Sequence, residues 1–126
     1  MPATVIIIDD DQDDLDIMNE SIKAIDRSIA CLTFKYPDEA LKVVSQELVL
    51  APDYMFIDIN MPVITGDLLL KEFRKYPELD SAIITMFSTS IPATVAKLLK
   101  DSGANFTFQK PNRVEDYKAI LSQIIR

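Results

Sequence analysis

The chain has no histidine at all, one cysteine and two glycines among 126 residues. Without histidine there is no Ser-His-Asp or Cys-His nucleophilic pair, no imidazole ligand for zinc, and no phosphohistidine carried by the chain itself. Cys31 has no partner for an internal disulfide. None is needed, because a chain of this length buries roughly two-thirds of its unfolded surface in a single core. Gly66 and Gly103 are too few for the G-x-G-x-x-G dinucleotide turn or a Walker-type phosphate loop. Positive charge is also scarce, with 13 Lys+Arg against 20 Asp+Glu and a net charge of −7. Such a surface repels polyphosphate backbones and anionic membranes, which argues against direct nucleic-acid binding. No segment approaches the ~20 apolar residues of a membrane span, and Met1 to Ile8 lacks the basic flank of a signal peptide. The expectation is a cytoplasmic protein with no membrane insertion.

What is present is a regular alternation. Val5-Ile6-Ile7-Ile8 is a β-branched run too short for a helix and reads as a buried strand. Leu15, Met18, Ile22 and Ile25 follow at helical spacing. Cys31 to Phe34 reads as a second strand, and Pro37-Asp38-Glu39 opens a helix with Asp38 as N-cap and Leu41, Val44 and Leu48 on its apolar side. Tyr54 to Ile57 is a third strand, followed by a helix carrying Leu69, Leu70 and Phe73 and closed by Pro77. Ala82 to Phe87 is the fourth strand. Pro92 suits the first turn of the next helix, which carries Val95, Leu98 and Leu99 and stops at Gly103. Phe106-Thr107-Phe108 is the fifth strand, and Asn112 with Glu115 forms a capping-box-like pair ahead of Val114, Tyr117, Leu121 and Ile124. Phe34, Phe56, Phe106 and Phe108 are expected in the core, and Cys31 as inert packing.

Strict strand–helix alternation implies one α/β domain over residues 1–126, a doubly wound parallel sheet with helices on both faces. Ligands of such sheets sit beyond the carboxyl ends of the strands, where the strand order reverses. Those ends carry Asp9-Asp10-Asp11, Asp58, Ser88-Thr89 and Lys110-Pro111. Clustered carboxylates raise one another's pKa unless a cation intervenes, and oxygen-only donors suit Mg²⁺. Lys110 supplies a second positive charge. Asp11, Asp13, Asp14 and Asp16 read instead as a solvated helix start favoured by the helix dipole.

In this arrangement the whole chain resembles the receiver domain of two-component response regulators. The matching motifs are the acidic pair Asp9-Asp10, Asp58-Ile59-Asn60-Met61-Pro62 with Gly66 eight residues after the aspartate, Ser88 after strand four, and Lys110-Pro111 after strand five. The resemblance implies a flavodoxin-like three-layer sandwich with strand order 2-1-3-4-5 and a cis Lys110-Pro111 bond. It implies that Asp58 accepts a phosphoryl group from a histidine kinase or histidine phosphotransfer protein. Asp10 and Asp58 would bind Mg²⁺ directly, Asp9 directly or through water, with the main-chain carbonyl of Asn60 completing the set. Lys110, Ser88 and the backbone N–H of Thr89 would then engage the phosphoryl oxygens. Output would come through a changed surface that binds a downstream effector protein. The family couples the hydroxyl at Ser88 to an aromatic residue three positions before the lysine, where this chain has Thr107.

A single arginine follows Ile125, so the expected form is a stand-alone switch, or a phosphate sink or shuttle in a relay, with a piece of a longer regulator as the remaining alternative. An aspartate-nucleophile phosphohydrolase usually wants a second acid two residues after the nucleophile, where Asn60 stands. A flavodoxin-like electron carrier shares the fold, but its phosphate loop would fall on the repelling acids after strand one.

Overall fold

The computed structural model of the protein describes residues 3–46 and 51–125. Its elements run β1 (Thr4–Ile8), α1 (Gln12–Ile25), β2 (Ala30–Phe34), α2 (Pro37–Gln46), β3 (Tyr54–Asp58), α3 (Gly66–Phe73), a 3₁₀ turn (Pro77–Leu79), β4 (Ile83–Ser88), α4 (Ala93–Asp101), β5 (Phe106–Gln109) and α5 (Val114–Ile124). All five strands are parallel, in the order β2-β1-β3-β4-β5. The doubly wound α/β architecture expected from the alternation is therefore present. No helix among the described residues is long and apolar enough to cross a membrane.

Strand alternation sorts the core into two layers. Val5, Ile7, Phe56 and Phe87 pack with Leu15, Met18 and Ile22 of α1 and with Tyr117 and Leu121 of α5. Ile6, Ile8, Met55, Ile57, Ile84 and Met86 face the other way, onto Val44, Leu69, Leu70, Phe73 and Leu99 of α2, α3 and α4. Apolar side chains on both faces explain why the central strands read as unbroken hydrophobic runs. β1 pairs with β2 on one side and β3 on the other, so the crossovers diverge there and open a crevice at the strand ends.

Arg74, just past α3, ties the opposite end of the sheet together. Its Nε donates to the Gly103 carbonyl (2.9 Å), Nη1 to that of Leu79 (2.7 Å), and Nη2 to that of Ala82 (3.1 Å) and to Asn105 Oδ1 (2.9 Å). Asn105 Oδ1 also accepts the Ile84 N–H. Gly103 combines φ +112° with a surface on which a Cβ would stand 2.9 Å from Arg74 Cγ, so two separate constraints select glycine. Arg74→Ala should lower stability by about 2 kcal/mol in urea titrations, and Arg74→Lys should recover little, because an ammonium lacks the guanidinium fork.

Several local expectations are corrected. α2 begins at Pro37, which loses nothing by lacking an N–H there, and Asp38 lies in the first turn rather than at the N-cap. α5 is preceded by Arg113 at its N-cap position without a side-chain cap, and Asn112 lies outside it, so the Asn112–Glu115 box does not form. Arg113 instead pairs with Asp116 (3.1 Å). α3 ends at Phe73 and Pro77 opens the separate 3₁₀ turn that buries Leu79. Leu98 and Phe106 are 65% and 44% exposed, not core: Leu98 lies on the outer side of α4, and Phe106 begins an edge strand. Phe34 is half-buried and Phe56 fully buried. Leu48 lies outside the described residues. The Lys110–Pro111 bond is trans, since no cis peptide occurs among the described residues. The intrinsic preference at proline is small enough for the surrounding loop to choose the isomer. Cys31 is half-buried on β2 and burial pushes its thiol pKa up, consistent with an unreactive packing residue.

Candidate functional site

The residues singled out at the strand ends meet at the crevice. β1 delivers Asp9 one residue beyond its last rung, fully buried, with Oδ1 accepting the Asp11 N–H (3.0 Å). Asp11 is the N-cap of α1, its carboxylate accepting the Asp13 N–H (2.9 Å). β3 ends on Asp58, 3% exposed, whose Oδ1 accepts the Asn60 N–H (3.2 Å). β4 ends on Ser88, also buried. Beyond β5, the Lys110 N–H donates to the Ser88 carbonyl (2.8 Å), which directs the lysine side chain back over the crevice. Asp10, Asp14, Asp58, Asn60, Ser88 and Thr89 border an open cleft of about 220 Å³, with Lys110 in its wall.

The β3–α3 loop is shaped by Gly66. Its N–H donates to the Ile59 carbonyl (2.9 Å), and a Cβ there would lie 2.3 Å from the Asp58 carbonyl oxygen. Glycine at this position is therefore a requirement of close backbone approach. Val63, 92% exposed, adopts φ 70° in the turn closed by Ile64 N–H to Pro62 carbonyl (2.8 Å). That conformation is costly for a β-branched residue, and it falls in the loop between β3 and α3.

Lys110 Nζ lies 2.8 Å from Asp14 Oδ2, 2.9 Å from Asp9 Oδ2 and 3.5 Å from Asp58 Oδ2, and 5.2 Å from the Phe87 ring centre. Burial opposes the charge on Lys110, but its hydrogen bond to Asp14 and the close negative charges of Asp9 and Asp58 outweigh it and hold its pKa above the usual lysine range. Burial pushes the Asp9 pKa up to about 7; the Asp11 N–H pulls it down, nearby Asp58 raises it and Lys110 lowers it. Asp58 is raised as well, chiefly by burial, with Lys110 acting against the shift. One ammonium does not neutralise this many acids.

One oxygen each from Asp9, Asp10 and Asp58 lies within 4.8 Å of the others, so the three carboxylates can hold a metal ion. Their chemistry fits: Asp9 and Asp58 are buried with raised pKa values, and all three offer hard oxygens suited to a divalent cation.

Two features escaped the sequence reading. Asp14, assigned there to a solvated helix face, is half-buried and pairs with Lys110. The Asn60 side chain donates from Nδ2 to Ser88 Oγ (2.8 Å), so the amide holds the hydroxyl at rest. Thr107 sits opposite Met86 on β4, whereas Phe108 stacks on Phe87 (5.4 Å between centroids) and meets Tyr117 edge-on (6.3 Å). Phe108 therefore points to the α1–α5 layer, away from the side of Thr107. A larger, mainly apolar groove of about 680 Å³ opens at the other ends of the strands, beside Tyr54, Ile83 and Phe106.

Comparison with known proteins agrees with this geometry. The rice protein "Two-component response regulator ORR4" (Oryza sativa subsp. indica) is 32% identical over 84 residues, 60% of this chain and 36% of the relative. "Stress response regulator protein 1" of Clavispora lusitaniae is 24% identical over 110 residues, 87% of this chain and 56% of the relative. The chain thus spans between about a third and just over half the length of these curated relatives. Among solved structures, the chemotaxis response regulator CheY4 of Vibrio cholerae superposes with a TM-score of 0.85 at 23% identity, covering 99% of this chain and 100% of that one. At that identity the likeness speaks for the fold. The family model for the response regulator receiver domain matches residues 5–122, and the chain belongs to that family.

Proposed function

We propose that residues 1–126 form a receiver domain in which Asp58 accepts a phosphoryl group from a phosphohistidine on a histidine kinase or histidine phosphotransfer protein. The observation that carries this reading is the Asp58 carboxylate itself. It is nearly buried at a strand end, has an oxygen within 4.8 Å of carboxylate oxygens of Asp9 and Asp10, and lies 3.5 Å from an ammonium. An Asp58 oxygen attacks phosphorus, the phosphorus–nitrogen bond of the donor breaks, and its electron pair stays on the imidazole nitrogen. The reaction needs Asp58 ionised despite burial.

Asp9, Asp10, Asp58 and the main-chain carbonyl of Asn60 are the residues that would hold Mg²⁺. Bound there, the cation supplies neutralising charge for both the carboxylates and the phosphoryl oxygens. Lys110 contributes further positive charge to the phosphoryl oxygens, and the Thr89 N–H and Ser88 hydroxyl donate to the others. For this, Ser88 must turn its hydroxyl proton towards the phosphoryl group while its oxygen keeps or releases the Asn60 amide. Moving Ser88 shifts the loop to α4, which changes the surface offered to a downstream effector protein. A cytoplasmic setting fits these partners. An aspartate phosphohydrolase is disfavoured because the residue two positions after Asp58 is an amide that donates to Ser88, not an acid.

The test is intact mass after incubation with a small phosphodonor and Mg²⁺. A gain of about 80 Da is expected. It should vanish with Asp58→Asn and fall sharply in EDTA, whereas unchanged labelling of the Asp58→Asn protein rejects the assignment.

A further inference from the structure

We propose that Asp14 is a positioning residue that holds the Lys110 ammonium towards the outer wall of the cleft, away from Asp58, in the unphosphorylated protein. The inference rests on the reading of Asp58 as acceptor and of Asp9, Asp10 and Asp58 as the cation-binding set. Lys110 has three N–H donors and three carboxylates within reach. It stands 2.8 Å from Asp14 and 2.9 Å from Asp9, but 3.5 Å from Asp58. The tightest of these contacts is therefore made to the one acid of the three outside the cation-binding set. Asp14 is also well anchored, being the third residue of α1, whose packing on α5 and the sheet fixes its position. Lys110 is confined in turn, with only 9% of its side chain exposed and the Phe87 ring beneath it. In so closed a setting the ammonium has few places to go.

The consequence concerns the charge available to a cation. If Asp14 stops attracting Lys110, the ammonium keeps Asp9 as one partner and closes on Asp58 as the other. A positive charge then stands among the carboxylates that would hold a divalent ion, and the two cations compete. By drawing the ammonium outward, Asp14 leaves Asp58 open to the metal. Phosphorylation would reverse the balance, since the aspartyl phosphate carries a charge close to −2 where the ionised carboxylate carried about −1, and its oxygens outbid Asp14 for Lys110.

The experiment is a double-mutant cycle on Mg²⁺ affinity, read by isothermal titration calorimetry on wild type, Asp14→Asn, Lys110→Ala and the double variant. Lys110→Ala removes the competing ammonium and is expected to strengthen cation binding once the carboxylates are ionised, so the cycle is run at a pH above the raised Asp9 pKa of about 7. Asp14→Asn is expected to weaken Mg²⁺ binding about fivefold in the wild-type background, and by less than about twofold when Lys110 is already alanine. Equal weakening in both backgrounds would mean that Asp14 acts only as a nearby negative charge, and would overturn the proposal. So would the absence of any effect in wild type. Asp14→Ser is measured alongside and replaces Asp14→Asn should circular dichroism show that variant unfolded. Failure of the underlying reading looks different: the wild-type protein itself would not bind Mg²⁺, or would gain no Asp58-dependent mass with a phosphodonor.

Discussion

In metal-free buffer containing EDTA, the protein should lose about 3 kcal/mol of unfolding free energy as pH rises from about 5 to about 8. The dominant contribution is Asp9, whose folded pKa of about 7 stands above its ordinary value of 3.8 because the side chain is buried. Between those two values the folded protein binds a proton that the unfolded chain has released. Stability from this group is therefore complete below its unfolded pKa and lost as pH passes upward through about 7. Asp58, also raised, adds in the same direction. Lys110 does not enter this window, because its raised pKa stabilises the fold below the ordinary lysine range and fails only above it. Saturating Mg²⁺ should flatten the profile above pH 7 by stabilising the ionised carboxylates, and Asp9→Asn should flatten it without metal. Urea titrations at several pH values measure both effects, and a metal-free profile that is level or climbs with pH contradicts them.

Gly66→Ala should be the most damaging single methyl addition near the site, costing about 3 kcal/mol or more and disturbing the cleft together with the fold. The added carbon would stand 2.3 Å from the Asp58 carbonyl oxygen, 2.7 Å from Ile59 Cα and 3.0 Å from the Asp58 carbonyl carbon. All three are backbone atoms, so no rotamer change relieves the clash. Either α3 retreats from the end of β3, opening the core around the fully buried Leu69 and Leu70, or β3 moves and carries Asp58 with it. Chemical denaturation reads the first outcome and Mg²⁺ affinity the second. A variant with wild-type values for both would show that the loop accommodates a side chain, contrary to the geometry. Gly66 is not in left-handed backbone, so the effect is one of space alone.

Much of the architecture was legible because it is written in short-range pattern. Runs such as Val5 to Ile8 and Tyr54 to Ile57 are short, apolar and bounded by turn residues, as two-sided strands are, and the spacing of Leu15, Met18 and Ile22 matches one helix face. The errors fall where several local choices lie close in energy. Pro37, Asp38, Asn112 and Arg113 are all acceptable near a helix start, and tertiary packing selects the register that turns Ala40 and Tyr117 inward. Leu98 and Phe106 show the same limit: apolar identity does not oblige burial on the outer side of a helix or at an edge strand.

For the candidate site, the positions of Asp9, Asp10, Asp58, Ser88 and Lys110 followed from topology, because a doubly wound sheet brings the ends of β1, β3, β4 and β5 to one rim. The sequence by itself thus determined the alternation, the rim and the acids upon it, since each depends on residues adjacent along the chain. Only the tertiary structure decided which acid holds the lysine. Asp14 and Lys110 are 96 residues apart, and their 2.8 Å contact depends on how α1 and the turn after β5 pack around the end of β1. Tenths of an ångström separate Asp14, Asp9 and Asp58 as partners of that ammonium, a scale that periodicity and composition do not resolve.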